Sequence, residues 1–455
     1  MAEKQGFTSS FGAIAAAVGS AVGLGNIWRF PYICGQYGGG AFLLVYLIFV
    51  FLIGMLLMLS EFIIGRRSQH SPIFAYESLS PHRGWRYAGL LGLITCFLIL
   101  GLYLVISGWT TNYVFDSITG HLSSLTPDQL DSHFASFSSS ALRPIIFIAI
   151  FLALTALVII GGVQKGIEKV SKILMPVLVV LLAILCVRSV TLPGASAGLE
   201  YLFRPDFSKL TGEGILAALG QALFSLSVGM GVMIVYGSYI PKNDNLLKTS
   251  LWITVCDTLI AILAGIAIFP AVFACGQDPA GGPGLVFKIL PAVFNSMNPE
   301  SGLPFGTIFA SLFFILLTIA ALTSSISLLE AQVAWGSEYH PNRRTRHTLI
   351  LSAIVLAIAA FCSLSNGVLS HLKVAGSTVF DLIDHINSIY LPPLCALLTV
   401  LFTGWVMPKS DIRDELSNHG SLRISYFGIY YFIIRYIAPL ALLVVLVTGI
   451  INSLH

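Results

Sequence analysis

The sequence predicts an all-α membrane protein of about eleven transmembrane helices, and three observations predict it. Of 455 residues, 56% are hydrophobic and only 10% charged, with a mean hydropathy of +0.88, too little polar surface to coat a water-soluble fold of this size. Apolar runs near or above the ~20 helical residues needed to cross a hydrocarbon core recur eleven times. Two of those runs are interrupted by glycines and polar residues at a depth where a membrane helix should avoid them.

Taken in order, the first span starts near Phe11. The preceding MAEKQGFTSS runs into it with no small-residue cleavage pattern, so no cleavable signal is expected and the span stays. Apolar runs from Ala41, Tyr87, Pro144 and Ile167 supply the next four, and Gly214 opens the sixth. Leu246, Phe305, Thr348, Leu372 and Tyr426 open the remaining five. The third, eighth and tenth are long enough to tilt or protrude from the bilayer. Two connecting segments, SLTPDQLDSHFASFSSS and ACGQDPAGGPG, read as polar, turn-rich loops that cap the outer side.

Orientation follows from the basic residues. With a cytoplasmic N-terminus, sixteen of the twenty-four Lys and Arg fall on the inner side, six fall outside, and Arg29 and Arg435 lie within spans. The net charge of +3 is therefore positive-inside bias and gives no hint of nucleic acid. An odd number of spans puts His455 outside. The seven cysteines are scattered, without a CxxC pair or ligand-spaced histidines, and read as small buried hydrophobes. An intramembrane hydrolase would need a nucleophile with a base at membrane depth. The ten histidines lie in loops or at span ends, so no enzyme is expected.

The interruptions carry the functional signal. Gly19 to Pro31, GSAVGLGNIWRFP, places three glycines, Asn26 and Arg29 inside the first span. In the sixth, GQALFSLSVGMGVMIVYGSY, Ser225, Ser227, Gly229 and Gly231 do the same. Backbone that opens inside a bilayer is tolerated only where it lines a protein-walled cavity or holds a ligand. Either segment alone fits tight helix packing through small residues equally well. Two broken helices five spans apart point instead to two inverted five-helix halves with a binding site at the membrane midplane.

The runs GSAVGLGNIWRFPY, GGGAF from Gly38, GQALFSLSVG and ALTSSIS from Ala321 resemble the neurotransmitter:sodium symporter family, of the leucine-transporter fold. The likeness covers nearly the whole chain and is to the shorter, eleven-helix bacterial members, which implies a bacterial inner (cell) membrane as the location. It implies a first repeat over residues 1–190, a connection over 191–213, a second repeat over 214–404, and a cytoplasmic loop with the last helix over 405–455. It also implies a sodium-coupled importer of amino acids working by alternating access.

Carried over residue by residue, the resemblance implies two sodium sites. The first would use Ala21, Asn26, Ser225, Asp257 and the substrate's own carboxylate; the second Gly19, Val22, Ala320, Thr323 and Ser324. Oxygen ligands from opened backbone and hydroxyls suit a hard cation. Hydroxyls in a span also bond back to their own helix, which is the ordinary reading of an isolated TSS. Asp257 falls where chloride-dependent relatives place asparagine, and Ala261 where they place a chloride-holding serine, so no chloride requirement is expected.

The same resemblance implies the substrate pocket. Monoamine-binding relatives carry an aspartate at the position of Gly23, and glycine leaves room for a substrate carboxylate, favouring an α-amino acid. That carboxylate would meet the first sodium, Gly25 and Tyr103; the ammonium would meet opened carbonyls of Ala21 and its neighbours, and Ser225. Ile99, Tyr103, Phe224, Ser227, Met230 and Leu328, with Ser324 beside them, would accept a hydrophobic or aromatic side chain. Plain packing is the ordinary reading of aromatics and Met in a span.

Gates are implied at both mouths. Arg29 with Asp384, supported by Gln221, would close the outer side above Tyr103 and Phe224. Lys4 with Glu338, and Phe7 near Ser238 and Tyr239, would close the inner side. Lys4 and Phe7 replace the family's arginine and tryptophan, and lysine lacks bidentate geometry. Gly166 and Pro176 in the fifth span have the spacing the family uses to unwind its inner end. Two rivals stay open: a sensor that binds without transporting, and a sodium-independent carrier of the same fold, which would lack the hydroxyls of Thr323 and Ser324.

Overall fold

A computed structural model describes residues 6–280, 285–297, 304–374 and 376–454. Regular structure among them is helical, with only two isolated β-bridges, Gly39 to Pro205 and Val374 to Ser377. Among the described residues, nine helices are long and apolar enough to cross a membrane: Gly40–Ser68, Arg83–Ile118, Arg143–Ile160, Val163–Val190, Leu246–Ala274, Phe305–Tyr339, Arg344–Leu364, Val379–Val406 and Phe427–Asn452. The pair Ser10–Ala21 and Gly25–Gln36, bent by 47°, makes one more broken span. Gly212–Ser225 and Val232–Gly237 are each too short to cross, and a count of eleven takes them together as the sixth.

Burial sorts these helices into centre and rim. The third span, Arg83–Ile118, is 72% buried across its most apolar window, whereas Phe427–Asn452 is 28% buried, so one is core and the other faces lipid. The third packs along the eighth, Phe305–Tyr339. Ser10–Ala21 lies against that eighth helix, the seventh (Leu246–Ala274) and the fifth. Gly212–Ser225 lies on Gly40–Phe49, and Val232–Gly237 on Met55–Ser68. Gly65 is the reason the last pair approaches so closely, because a Cβ there would sit 1.9 Å from the Ile234 carbonyl oxygen.

Start signals are side-chain caps. Ser9, Thr211, Asn245 and Thr378 each accept a hydrogen bond from a backbone N–H in the first turn of their helix. The Thr378 cap explains a correction: the tenth span, expected from Leu372, begins at Val379, because Gly376 at φ +84° and the cap hold the preceding apolar residues in a loop. A second correction concerns the outer loop before Arg143, which contains the helix Pro127–Ser139. Thr126 and Gln129 form a capping box there, with Pro127 at the first helical position. All seven cysteines are free.

Candidate functional site

Both breaks face each other at the centre. In the first span Val22 takes an extended conformation (φ −75°, ψ 106°), and the chain resumes as a π-helical turn over Gly25–Arg29. In the sixth, Leu226 to Gly231 are non-helical, with Ser227, Gly229 and Gly231 at φ +53°, +76° and +77°. Glycine tolerates that left-handed region; Ser227 is held there by donating its hydroxyl to the Ser20 carbonyl at 3.0 Å. The freed backbone groups find side-chain partners. Gln221 donates to the Gly25 carbonyl at 2.8 Å, and Gly229 N–H donates to Glu61 Oε1 at 2.7 Å.

Between the breaks lies a cavity of about 320 Å³. Its walls include ten of the eleven residues expected around the substrate: Ala21, Gly23, Gly25, Ile99, Tyr103, Phe224, Ser227, Met230, Ser324 and Leu328. Ser225 lies behind the wall instead, and Ser20 takes a place that sequence reasoning missed. Gly23 is a steric necessity, since a Cβ would meet Ser324 Oγ at 2.3 Å and Tyr103 Oη at 2.7 Å. Tyr103 accepts from the Leu24 N–H at 3.1 Å, which fixes its hydroxyl at the broken end of the first span.

Two oxygen-rich clusters flank the cavity. In one, Asn26 Nδ2 donates to Asp257 Oδ1 at 2.7 Å and to Ser225 Oγ at 3.0 Å, while Ser225 Oγ donates to Asp257 Oδ2 at 2.7 Å. All three side chains are fully buried. Among the described residues the partners of this carboxylate are thus an amide and hydroxyls, Tyr46 contributing a second one, and none is a cation. In the other, Thr323 Oγ1 lies 3.0 Å from the Ala320 carbonyl and 3.4 Å from that of Val22. Ser324 Oγ lies 3.0, 3.3 and 3.5 Å from the carbonyls of Ser20, Val22 and Gly19. The five residues expected for a second ion therefore converge. A Cβ on Gly19 would also touch Met175 and Ser171 of the fifth span. That span has a π-helical turn over Val163–Glu168, containing Gly166, and runs helically through Pro176.

The two expected gates differ. At one, a second cavity of about 440 Å³ is lined by Arg29, Asp384, Tyr103 and Phe224, the last two being shared with the first cavity. Arg29 lies over the Phe224 ring at 4.6 Å. Gln221 reaches the Gly25 carbonyl. At the other, Phe7 donates its N–H to the Tyr239 carbonyl at 3.0 Å and packs on the Tyr236 and Tyr239 rings. Ser238 turns its hydroxyl onto the Val235 carbonyl. Glu338 accepts from Ser71 N and Oγ at 2.5 and 2.8 Å. Lys4 lies outside the described residues.

Sequence reasoning missed five buried carboxylates: Asp116 and Glu415, paired with Arg143 and Arg66, and three others. Glu61 carries the sixth-span backbone, as above. Glu330 accepts from the Tyr239 hydroxyl at 2.8 Å and pairs with Arg344 at 2.5 Å, and Glu168 accepts from Thr8 and Lys172. Apart from the Glu168–Lys172 pair, four residues apart, these partners of the last three lie 14 to 168 positions away, and an acid's position in a span does not say which distant group it meets.

These features coincide with those of known proteins. The model of the sodium:neurotransmitter symporter family matches residues 4–133 and 138–454. An uncharacterised sodium-dependent transporter of Bacillus subtilis (strain 168) is 41% identical over 96% of each chain. Another, from Methanocaldococcus jannaschii, is 31% identical over 94% of this chain and 87% of its own. The crystal structure of MhsT in complex with L-phenylalanine superposes with a TM-score of 0.90, at 43% identity, covering 98% of this chain and all of that one. Broken central helices, the leucine-transporter fold and these matches converge, and the chain belongs to the sodium:neurotransmitter symporter family as a sodium-dependent, multi-pass membrane transporter.

Proposed function

We propose that the protein imports hydrophobic or aromatic L-amino acids by sodium symport and alternating access, without requiring chloride. The observation that carries this reading is the shared wall: one cavity of about 320 Å³ is bordered by Ser324 of one oxygen cluster and by Gly25 and Phe224, the chain neighbours of Asn26 and Ser225 in the other. Substrate and ions would therefore bind as one unit. The solved relative holds L-phenylalanine, and the cavity here offers Ile99, Phe224, Met230 and Leu328 to a side chain of that kind. Met230 is adaptable enough to accept several.

Asp257 supplies the fixed negative charge that favours a monovalent cation, with Asn26, Ser225 and the Ala21 carbonyl completing the first set. Burying a carboxylate at membrane depth costs roughly 3 kcal/mol unless a cation accompanies it, and no anion need be recruited. Thr323, Ser324 and the carbonyls of Gly19, Val22 and Ala320 form the second set, which ties the first span to the eighth. Two sodium ions moving down roughly 100 mV and a tenfold gradient release about 7.4 kcal/mol, about five decades of accumulation for a zwitterion; one ion supports fewer than three.

Alternating access follows from the mouths. Tyr103 and Phe224 separate the substrate cavity from the outer one, beneath Arg29 and Asp384. Phe7 against Tyr239, with Ser238, Glu338 and Lys4, belongs to the inner closure. The sixth broken segment counts as a span in this reading, giving eleven, with the N-terminus cytoplasmic, the C-terminus outside and residues 1–190 and 214–404 as the two repeats. The test is uptake of labelled phenylalanine, leucine, tyrosine and tryptophan into proteoliposomes under an inward sodium gradient. Accumulation above equilibrium, abolished in Asn26→Ala and lowered in Thr323→Ala, is the expected result; sodium-dependent binding without accumulation would mean a sensor.

A further inference from the structure

Among the described residues, three cations at the seam between the tenth and eleventh spans have aromatic faces and no acid as ion-pair partners. Lys409 and Arg413 stand one turn apart on the loop helix Lys409–Leu416. Arg413 lies over the Phe427 ring at 5.7 Å, and Lys409 over Tyr431 at 4.9 Å. Arg435 lies over Tyr431 at 5.6 Å and over Trp405 at 4.3 Å. Phe427, Tyr431 and Arg435 are spaced by four residues, so they share one face of the last span.

The acids of the same loop helix are committed elsewhere. Asp411 and Asp414 pair with Arg67, and Glu415 with Arg66, all on the side turned to the second span. That leaves Lys409 and Arg413 exposed on the opposite side. Arg435 is the ninth residue of its span, roughly 12 Å along it. It donates to Tyr431 Oη at 2.9 Å, one turn back toward the loop, and its buried Nε has no hydrogen-bond partner. Its neighbour Trp405 is the last residue but one of the tenth span, so Arg435 sits level with that span's end, where a cation without a counter-ion calls for one from outside the chain.

We propose that this seam holds the headgroup of an anionic phospholipid, its phosphate shared by Arg435, Lys409 and Arg413. Depth selects a lipid over a dissolved anion. Trp405 and Tyr436 are 56% and 49% exposed beside Arg435, which opens the seam to surrounding acyl chains and supplies the amphipathic rings that favour the headgroup level. A zwitterionic headgroup would bring its own cation among three others, whereas an anionic one brings the missing charge. Gly404 permits the geometry: a Cβ there would meet Arg435 Cα at 3.0 Å, and the close approach lets Trp405 Nε1 donate to the Arg435 carbonyl at 3.0 Å.

Native mass spectrometry of the full chain in detergent, with phosphatidylglycerol and phosphatidylcholine added in equal amounts, tests this. Phosphatidylglycerol should be retained at least fivefold over phosphatidylcholine, and the double variant Lys409→Gln/Arg413→Gln, as well as Arg435→Leu, should remove that preference. Because Arg435→Leu perturbs a packed helix seam, the double variant on the exposed loop helix decides if Arg435→Leu fails to fold. Equal retention of both lipids, an unchanged preference in the double variant, or displacement by inorganic phosphate at the lipid's own concentration would overturn the assignment.

Discussion

Asn26 and Asp257 meet at 2.7 Å, 231 positions apart in sequence, and the contact joins the opened first span to the seventh. Ser225 of the sixth span completes the triangle. A single carboxylate thus ties together the two broken helices, and its charge has no cation from the chain beside it. Asp257→Asn should raise the sodium concentration for half-maximal uptake about 10- to 100-fold, the equivalent of roughly 1.5–3 kcal/mol for a charged hydrogen-bonded group. Sodium titrations of uptake measure this, and an unchanged half-saturation would remove Asp257 from the ion site.

Chloride bears on the same residue. With Asp257 present, replacing chloride by gluconate on both sides of the membrane should leave initial uptake within twofold. Loss of uptake on that exchange would overturn chloride independence whatever the sodium result.

Gly23 has no room for a methyl group. Its Cβ would lie 2.3 Å from Ser324 Oγ, so Gly23→Ala should weaken amino-acid binding 10-fold or more, consistent with overpacking costs of about 1–3 kcal/mol. Gly220→Ala is the control, because a Cβ there meets nothing within 4 Å. Scintillation-proximity binding of labelled phenylalanine should separate the two variants; equal affinities would mean that the Gly23 position does not border the ligand.

Glu61 gives a stability prediction. It is 1% exposed and accepts from Gly229 N–H, so Glu61→Ala strands a buried donor and should cost about 1–3 kcal/mol, seen as a lower melting temperature in detergent. Glu61→Gln keeps an acceptor and should recover most of the loss. If both variants melt alike, the sixth-span break does not depend on this acceptor.

Much of this site was legible in residue types. Glycines and hydroxyls at 19–31 and 225–231 mark the breaks, because nothing else explains them twice in corresponding spans. The family register then supplied ten of the eleven cavity-lining positions. Ser20 escaped because its carbonyl, not its side chain, faces the site, and a carbonyl has no sequence signature. Glu61, Glu330 and Glu168 escaped because their partners are set by packing. The π-helical turns, such as Val50–Gly54 and Phe402–Val406, likewise have no local signal in residue type. The helix Pro127–Ser139 was legible after all, through Thr126, Pro127 and Gln129, a start signal inside what read as a loop.

The second ion set has its own signature. Thr323→Ala and Ser324→Ala remove hydroxyls that sit among the carbonyls of the first span, and each should lower the sodium Hill coefficient of uptake from about two toward one. A coefficient held at two, with only maximal rate reduced, would assign these hydroxyls to packing.

Steady-state accumulation as a function of the sodium gradient tests the central claim most directly. In proteoliposomes clamped at zero potential, a tenfold increase in the gradient should raise phenylalanine accumulation about 100-fold, the slope of two expected from two coupled ions. Accumulation that stays at the equilibrium ratio at every gradient would contradict sodium symport by this chain.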